Sequence, residues 1–94
     1  SEGRFTFNSP LDRTDGYDAV EWIAAQPWCT GAVGLDGHSY AGMTQLTTAI
    51  ARPPHLRCLV PAVPSLDFFR EPPYLGGAFS RMHTLVWSRA LQFD

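Results

Sequence analysis

The sequence predicts an α/β fold, and the order of its elements is the main reason. Two short apolar segments with the character of buried parallel strands alternate with two segments of helical periodicity. A helix, strand, helix, strand order is typical of parallel sheets with helices packed on them. The composition agrees with a globular protein, since 45% of the 94 residues are hydrophobic and 17% are charged.

The first predicted element is an amphipathic helix that lies between an irregular connector, residues 1–13, and Pro27. Thr14 and Asp15 offer side-chain oxygens for its N-cap. Its apolar side is predicted to consist of Ala19, Val20, Ile23 and Ala24. Because Pro27 lacks the N–H that would continue the helix, a length of about three turns is expected.

The next two elements are a strand and a second helix. Residues 32–35 are apolar without alternation, which predicts a parallel strand covered on both faces and ended by Asp36 and Gly37. The second helix is predicted from apolar positions spaced i, i+3, i+4 and i+7, which are Met43, Leu46, Thr47 and Ile50. Residues 53–54 are two prolines and are expected to stop it.

The second half of the chain is predicted to contain a strand, a loop and a third helix. Residues 58–63 repeat the pattern of a buried strand, and residues 64–77 are rich in proline and glycine, which indicates a loop. The third helix runs to the C-terminus. Its predicted apolar side consists of Phe79, Met82, Val86, Ala90 and Phe93.

Charge, hydropathy and cysteine content argue against several classes of function. The formal net charge is −2 and the seven basic residues are scattered, so no nucleic-acid partner is expected. No apolar run approaches the roughly 18 residues needed to span a bilayer, so we expect no membrane association and a cytoplasmic location. Cys29 and Cys58 are expected to be reduced, and the His and Cys spacing predicts no metal site.

The segment that carries chemistry is residues 35–42, where a strand end, a serine between small residues and a helix start follow one another. A serine hydroxyl is a weak nucleophile and must project from a strained turn to reach its base and a substrate carbonyl. Gly37 and Ala41 are small enough for such a turn. The pattern predicts Ser39 as the nucleophile and the main-chain N–H of Tyr40 as an oxyanion donor.

The same residues have a second interpretation. Glycine, serine and alanine also cluster in any strand-to-helix turn, because such turns need caps and small residues. The position of the pattern between a predicted buried strand and a predicted helix favours the nucleophile.

At these residues the sequence resembles the cocaine-esterase and X-Pro dipeptidyl-peptidase group of serine hydrolases. The resemblance covers nearly the whole chain. It is carried by Ser1-Glu2-Gly3 with Phe5, Asp15-Gly16-Tyr17-Asp18, Glu21-Trp22-Ile23, Gln26-Pro27-Trp28-Cys29 with Gly31, Val33-Gly34 and Gly37-His38-Ser39-Tyr40-Ala41-Gly42. The tyrosine that follows the serine separates this group from most lipases and esterases.

The resemblance implies acyl transfer through a covalent acyl-Ser39 intermediate, with a Ser-Asp-His triad, no cofactor and a small-molecule ester or amide substrate. In such enzymes the acid, the base and a second oxyanion donor come from parts of the chain outside these 94 residues. Residues 1–66 would be a segment of the α/β-hydrolase catalytic domain and residues 67–94 the beginning of a helical cap. The piece alone is therefore expected to be inactive, to need the remainder of the domain, and to be compatible with a homo-oligomer.

Three further residues are predicted to face the substrate. The resemblance implies that Trp87 lines the acyl pocket and that Phe68 lies on the route into the cap, although Trp87 as an ordinary helix core residue stays open. His38 is interpreted as a substrate-side or packing residue, because neighbours across a sharp bend point apart.

The other histidines and acids are not predicted to complete a triad. His55 and His83 are interpreted as solvated or packed side chains, and Asp36 and Asp67 as turn or cap residues. The sequence Glu71-Pro72-Pro73-Tyr74 favours substrates with neutral or apolar acyl groups. The carboxylate of Glu71 leaves a substrate with an amino-acyl group as an alternative. The alternative function is a non-catalytic protein-interaction module that retains the hydrolase scaffold.

Overall fold

The computed structural model of the chain describes residues 9–65, 67, 70–71 and 74–91. It divides into two compact units, Ser1–Pro64 and Ser65–Asp94. The first contains helix α1 (Leu11–Ala24), strand β1 (Val33–His38), helix α2 (Tyr40–Ile50) and strand β2 (Leu56–Ala62). The predicted element order is confirmed, and β1 and β2 pair in parallel, so the unit is a partial α/β arrangement.

Helix α1 begins one turn earlier than the sequence analysis predicts. The Ser9 hydroxyl accepts the Leu11 N–H at 3.1 Å, and Asp12 Oδ2 accepts the Ser9 N–H at 3.1 Å. This reciprocal pair resembles a capping box and starts the helix at Leu11. Thr14 was the wrong cap because its hydroxyl donates to the Leu11 carbonyl, 2.9 Å away, inside the first turn.

Helix α1 packs on α2 through a face that includes a glycine. Val20 is 2% exposed, and Gly16 lies so close to α2 that an added Cβ would be 2.0 Å from Thr48 Oγ1 and 2.9 Å from Thr48 Cβ. Ala19, which was predicted on the apolar side, is exposed. The contact thus depends on the absence of a side chain at residue 16.

The closeness of Gly16 to Thr48 predicts that alanine at residue 16 lowers stability, although helix propensity favours alanine over glycine. In an open helix Gly→Ala raises stability by about 1 kcal/mol. We expect Gly16→Ala in the full-length protein to lower it by about 1–3 kcal/mol instead, because the new methyl overlaps Thr48. Urea unfolding measures the change, and Ala19→Gly on the exposed side serves as the control for propensity alone. A Gly16→Ala protein that is more stable than the parent would contradict the packing.

The sheet differs from the prediction in length. Strand β1 continues through Asp36 and Gly37 to His38, and its exposure alternates, with Val33 buried while Gly34, Asp36 and His38 are exposed. Helix α2 contacts both strands. Within the described residues no helix covers the opposite face of β1, as expected for these residues alone, and cover on both faces stays a prediction for the longer chain.

Helix α2 buries Gly42, Gln45 and Thr48 rather than the predicted apolar positions. Met43, Leu46 and Thr47 are half-buried, and Ile50 is 59% exposed. The reason is the closeness of the helix to the sheet, since a Cβ added at Gly42 would lie 3.0 Å from the Ala62 carbonyl oxygen. The helix ends as predicted before Pro53, and Arg52 adopts a positive φ of 54°.

The second unit contains a hairpin where the proline and glycine content of residues 64–77 predicts a loop. Strands β3 (Tyr74–Leu75) and β4 (Ala78–Phe79) pair antiparallel, and helix α3 spans Arg81–Leu91. Gly76 and Gly77 have φ of 58° and 88°, as a two-residue type I′ turn requires. Phe79 therefore lies in β4 and not on α3, where Met82 and Val86 are 74% and 59% exposed. Phe93 lies outside the described residues, and the helical cap remains a prediction.

Candidate functional site

Ser39 is the single residue between the end of β1 and the start of α2. Its backbone has φ 55° and ψ −123°, the conformation of the first central residue of a type II′ turn, where glycine is preferred. A non-glycine residue held there costs about 1–3 kcal/mol. The side chain is exposed. The chain thus has a strained strand-to-helix corner with a serine at its tip.

Hydrogen bonds fix the Ser39 backbone on both sides but leave its hydroxyl out of the helix cap. The Ser39 N–H donates to the Ala62 carbonyl at 2.9 Å, and the Ser39 carbonyl accepts the N–H groups of Gly42 and Met43 at 2.9 and 3.1 Å. Ser39 occupies the N-cap position of α2, yet its side chain makes no capping hydrogen bond. A serine whose only role were to cap would use its Oγ at this place.

The corner closes only because small residues flank Ser39. A Cβ added at Gly37 would lie 2.8 Å from Ala41 Cβ and 3.2 Å from the Ala41 carbonyl oxygen. Real Cβ atoms do not approach that closely, so a side chain at residue 37 would push β1 and α2 apart. The small flanks expected from the sequence are therefore a steric requirement of the turn.

A buried glutamine, which the sequence analysis did not single out, lies behind the corner. Gln45 is 3% exposed. Its Nε2 donates to the Gly37 carbonyl at 3.2 Å and to the Ala41 carbonyl at 3.1 Å, while its Oε1 accepts the Val60 N–H at 3.1 Å. The only signal in the sequence was the i, i+3, i+6 spacing of Gly42, Gln45 and Thr48, which marks the face where α2 comes closest to its neighbours.

Tyr40 is the first residue of α2, and its two ends have different surroundings. Its main-chain N–H belongs to the first turn of α2. The N–H groups of a first turn point away from the helix at its N-terminus, which is the positive end of the helix dipole. Its phenol donates to Asp12 Oδ2 at 3.1 Å, the same oxygen that accepts the Ser9 N–H. The side chain thereby ties the start of α2 to the start of α1, a contact that no local pattern predicts.

Val63 is a second strained residue at this edge of the sheet. It directly follows Ala62, whose carbonyl accepts the Ser39 N–H, and it has a φ of 51° and is 85% exposed. Positive φ is unusual for a β-branched residue, and such strain clusters at functional sites. Strand β2 ends at Ala62, so the predicted strand through Val63 is one residue too long.

The three predicted substrate-facing residues lie in different parts of the chain. His38 is the exposed last residue of β1 and pairs in register with Ala62. Trp87 lies on α3 in the second compact unit, with its ring centroid 6.4 Å from that of His83. Phe68 lies outside the described residues. The roles of all three stay predictions.

His55 has a partner and a position that exclude it as the base for Ser39. Its Nδ1 lies 2.6 Å from Glu21 Oε2, and its main-chain N–H donates to Glu21 Oε1 at 3.2 Å. The Val33 N–H donates to the His55 carbonyl, so His55 lies at the opposite end of the six-residue strand β1 from Ser39. At about 3.3 Å per residue, the two are separated by about 20 Å.

We therefore expect His55→Ala in the full-length protein to act on stability and not on turnover. The contact of a partly exposed histidine with a carboxylate contributes up to about 1 kcal/mol, and loss of a catalytic histidine lowers kcat by about 10³-fold or more. Urea unfolding should show the small loss, and steady-state ester hydrolysis should keep kcat within about two-fold. A thousand-fold fall in kcat of folded His55→Ala would overturn this assignment.

Two further acids of the described residues lie in a strand and in a turn, and the two thiols are free. Asp36 lies within β1, so its interpretation as a turn residue is wrong, because the strand continues past it. Asp67 is a turn residue, since its carbonyl accepts the N–H groups of Arg70 and Glu71. Cys29 and Cys58 are free. In the described ranges no three His, Cys, Asp or Glu side chains cluster around a metal position, and no helix is long and apolar enough to cross a bilayer.

One family model and three curated proteins are similar to this chain. Residues 1–93 match the family model described as X-Pro dipeptidyl-peptidase (S15 family). Cocaine esterase from a Rhodococcus species is 40% identical over 89 residues, which are 94% of this chain and 15% of that protein. Two proteins from Mycobacterium bovis and Mycobacterium tuberculosis, both named provisionally as serine esterases, are 32% identical over 75 residues, 80% of this chain and 12% of theirs.

The chain thus spans a small part, 12–15%, of the curated relatives it matches. The family match covers nearly every residue, including the strand, the corner at Ser39 and helix α2. The relatives carry the names of esterases, and the family carries that of a peptidase. This chain belongs to the X-Pro dipeptidyl-peptidase family.

Proposed function

We propose that Ser39 is the nucleophile of a serine hydrolase that cleaves carboxylic esters or related amides, and that these residues are the nucleophile-bearing part of a longer chain. One observation carries the proposal: an exposed serine is held at a φ of 55° without using its hydroxyl as a cap. The strain has no role in capping α2. It is the geometry that nucleophilic attack requires.

The proposed reaction uses two groups of the corner, the Ser39 hydroxyl and the main-chain N–H of Tyr40. Ser39 Oγ forms a bond to the substrate carbonyl carbon and gives its proton to a histidine base, which we expect from another part of the longer chain. The carbonyl oxygen becomes negative and is stabilised by the main-chain N–H of Tyr40 at the start of α2. Collapse expels the alcohol or amine, which takes the proton. Water then cleaves acyl-Ser39, releasing the acid and restoring the hydroxyl.

Two features of the described residues support a neutral or apolar acyl group. Val63 offers an apolar side chain, 85% exposed, one residue beyond the carbonyl that holds Ser39. Glu71 Oε2 accepts the N–H of Asp67 at 3.5 Å, so this carboxylate takes part in its own turn. We propose that Trp87, Phe68 and His38 add substrate contacts. Together these features favour an esterase acting on apolar acyl groups over an enzyme that binds an α-ammonium group.

A substrate panel tests this choice with the full-length protein. The panel contains 4-nitrophenyl acetate, butyrate and benzoate, and the 4-nitroanilide of glycyl-proline. We expect ester turnover with the highest kcat/KM on the apolar acyl groups. Exclusive hydrolysis of the glycyl-proline amide would contradict the esterase preference. A folded protein that turns over none of the four would contradict the hydrolase itself and favour the non-catalytic module.

A further inference from the structure

The buried amide of Gln45 joins the two sides of the corner. Gly37 is two residues before Ser39 and Ala41 two residues after it, and one Nε2 donates to the carbonyls of both, at 3.2 and 3.1 Å. Oε1 of the same side chain accepts the Val60 N–H from β2 at 3.1 Å. One side chain therefore connects the end of β1, the start of α2 and the neighbouring strand.

Because Gln45 is buried, its hydrogen bonds hold the side chain in one position. The residue is 3% exposed, so water does not compete for its donors and acceptor. An amide has a fixed planar shape with donors at one end and an acceptor at the other, and here both ends are used. Rotation or displacement of the side chain would break bonds on more than one element.

We infer that Gln45 is a positioning residue that keeps the Ser39 hydroxyl in its attacking orientation. The inference rests on the proposed role of Ser39 as nucleophile. Gln45 does not touch the substrate in this account. It acts by fixing Gly37 and Ala41, and hence the strained backbone between them, before the substrate arrives. Misplacement of a reacting group by about 1 Å costs about 10²-fold in rate, so loss of this connection should appear in kcat more than in KM.

The test compares Gln45→Met, Gln45→Glu and Thr48→Val in the full-length enzyme. Methionine keeps the length of the side chain and removes all three hydrogen bonds. Glutamate keeps the shape and the acceptor for Val60, but as a carboxylate it has no donor and places a buried negative charge against the carbonyls of Gly37 and Ala41. Thr48 is the matched control, because it is 4% exposed on the same helix and faces Gly16 of α1 instead of the corner.

We expect Gln45→Met and Gln45→Glu to lower kcat by about 10- to 100-fold with KM changed by less than about three-fold. The rate of covalent labelling by a fluorophosphonate should fall in parallel. Thr48→Val should keep both kcat and the labelling rate within about two-fold. If Gln45→Met does not fold, Gln45→Leu, which also removes the three hydrogen bonds and buries no charge, takes its place.

A folded Gln45 variant with the kcat and labelling rate of the parent would overturn the inference, as would an equal loss of kcat in Thr48→Val. The nucleophile is tested separately by Ser39→Ala. If Ser39→Ala is inactive while the Gln45 variants are fully active, the positioning role fails and the hydrolase stands. If Ser39→Ala remains active, the proposed function itself fails.

Discussion

Replacing Ser39 by alanine in the full-length protein is expected to lower kcat for ester hydrolysis by about 10³- to 10⁶-fold. The change removes only the hydroxyl, which makes no capping bond, so the fold and the hydrogen bond from the Ser39 N–H to Ala62 should be kept. Steady-state kinetics and urea unfolding on the same preparation measure the two effects. An active Ser39→Ala enzyme would show that another residue is the nucleophile.

Ser39→Gly is a sharper companion to this variant. Glycine tolerates the φ of 55° that costs serine or alanine about 1–3 kcal/mol, although it also gains freedom in the unfolded chain. We expect Ser39→Gly to be as inactive as Ser39→Ala and to be more stable than the parent protein by about 1 kcal/mol. A protein that gains stability when it loses its serine has a backbone strained for function. Lower stability of Ser39→Gly than of Ser39→Ala would contradict the strain.

The second large effect is expected at Gly37, which has no catalytic group. Gly37→Ala in the full-length protein would bring a methyl within 2.8 Å of Ala41 Cβ and 3.2 Å of the Ala41 carbonyl oxygen. The end of β1 and the start of α2 must separate, which we expect to lower stability by about 1–3 kcal/mol. We also expect kcat to fall by about 10²-fold, because Ser39 moves with them. Urea unfolding and steady-state ester hydrolysis measure these changes.

The double variant Gly37→Ala/Ala41→Gly provides the control. It removes the Cβ–Cβ overlap and keeps the contact of the new methyl with the residue 41 carbonyl, so partial recovery of stability and kcat is expected. Ala41→Gly alone should cost no more than about 1 kcal/mol. If Gly37→Ala alone behaves like the parent, the corner is looser than its distances indicate.

Local patterns were sufficient for the order of the elements in the first unit and for the corner. The alternation of helices and apolar strands predicted the parallel pair β1 and β2, and Gly37 with Ala41 around Ser39 predicted a tight strand-to-helix turn. Both predictions use residues that are near one another in the sequence. For such residues the periodicity of apolar positions and the size of the side chains indicate the local structure directly. The family resemblance is confirmed by the match over residues 1–93.

Contacts between distant segments could not be predicted in the same way. The start of α1 depends on Ser9 and Asp12 bonding each other, and Asp12 also accepts the phenol of Tyr40 from 28 residues away. The packed face of α2 contains Gln45 and not Ile50, because closeness to β1 and β2 favoured a small or hydrogen-bonding residue over an apolar one. Periodicity measures hydrophobicity along one helix and carries no information about how near its neighbours lie.

The most direct test of the account is to find where a fluorophosphonate attaches in the full-length protein. The reagent forms a bond from phosphorus to an activated serine Oγ as fluoride leaves, and peptide mass spectrometry then identifies the modified residue. The account predicts one modified site, Ser39, and no modification after Ser39→Ala. Stoichiometric labelling of a different serine, with Ser39 unmodified, would contradict it.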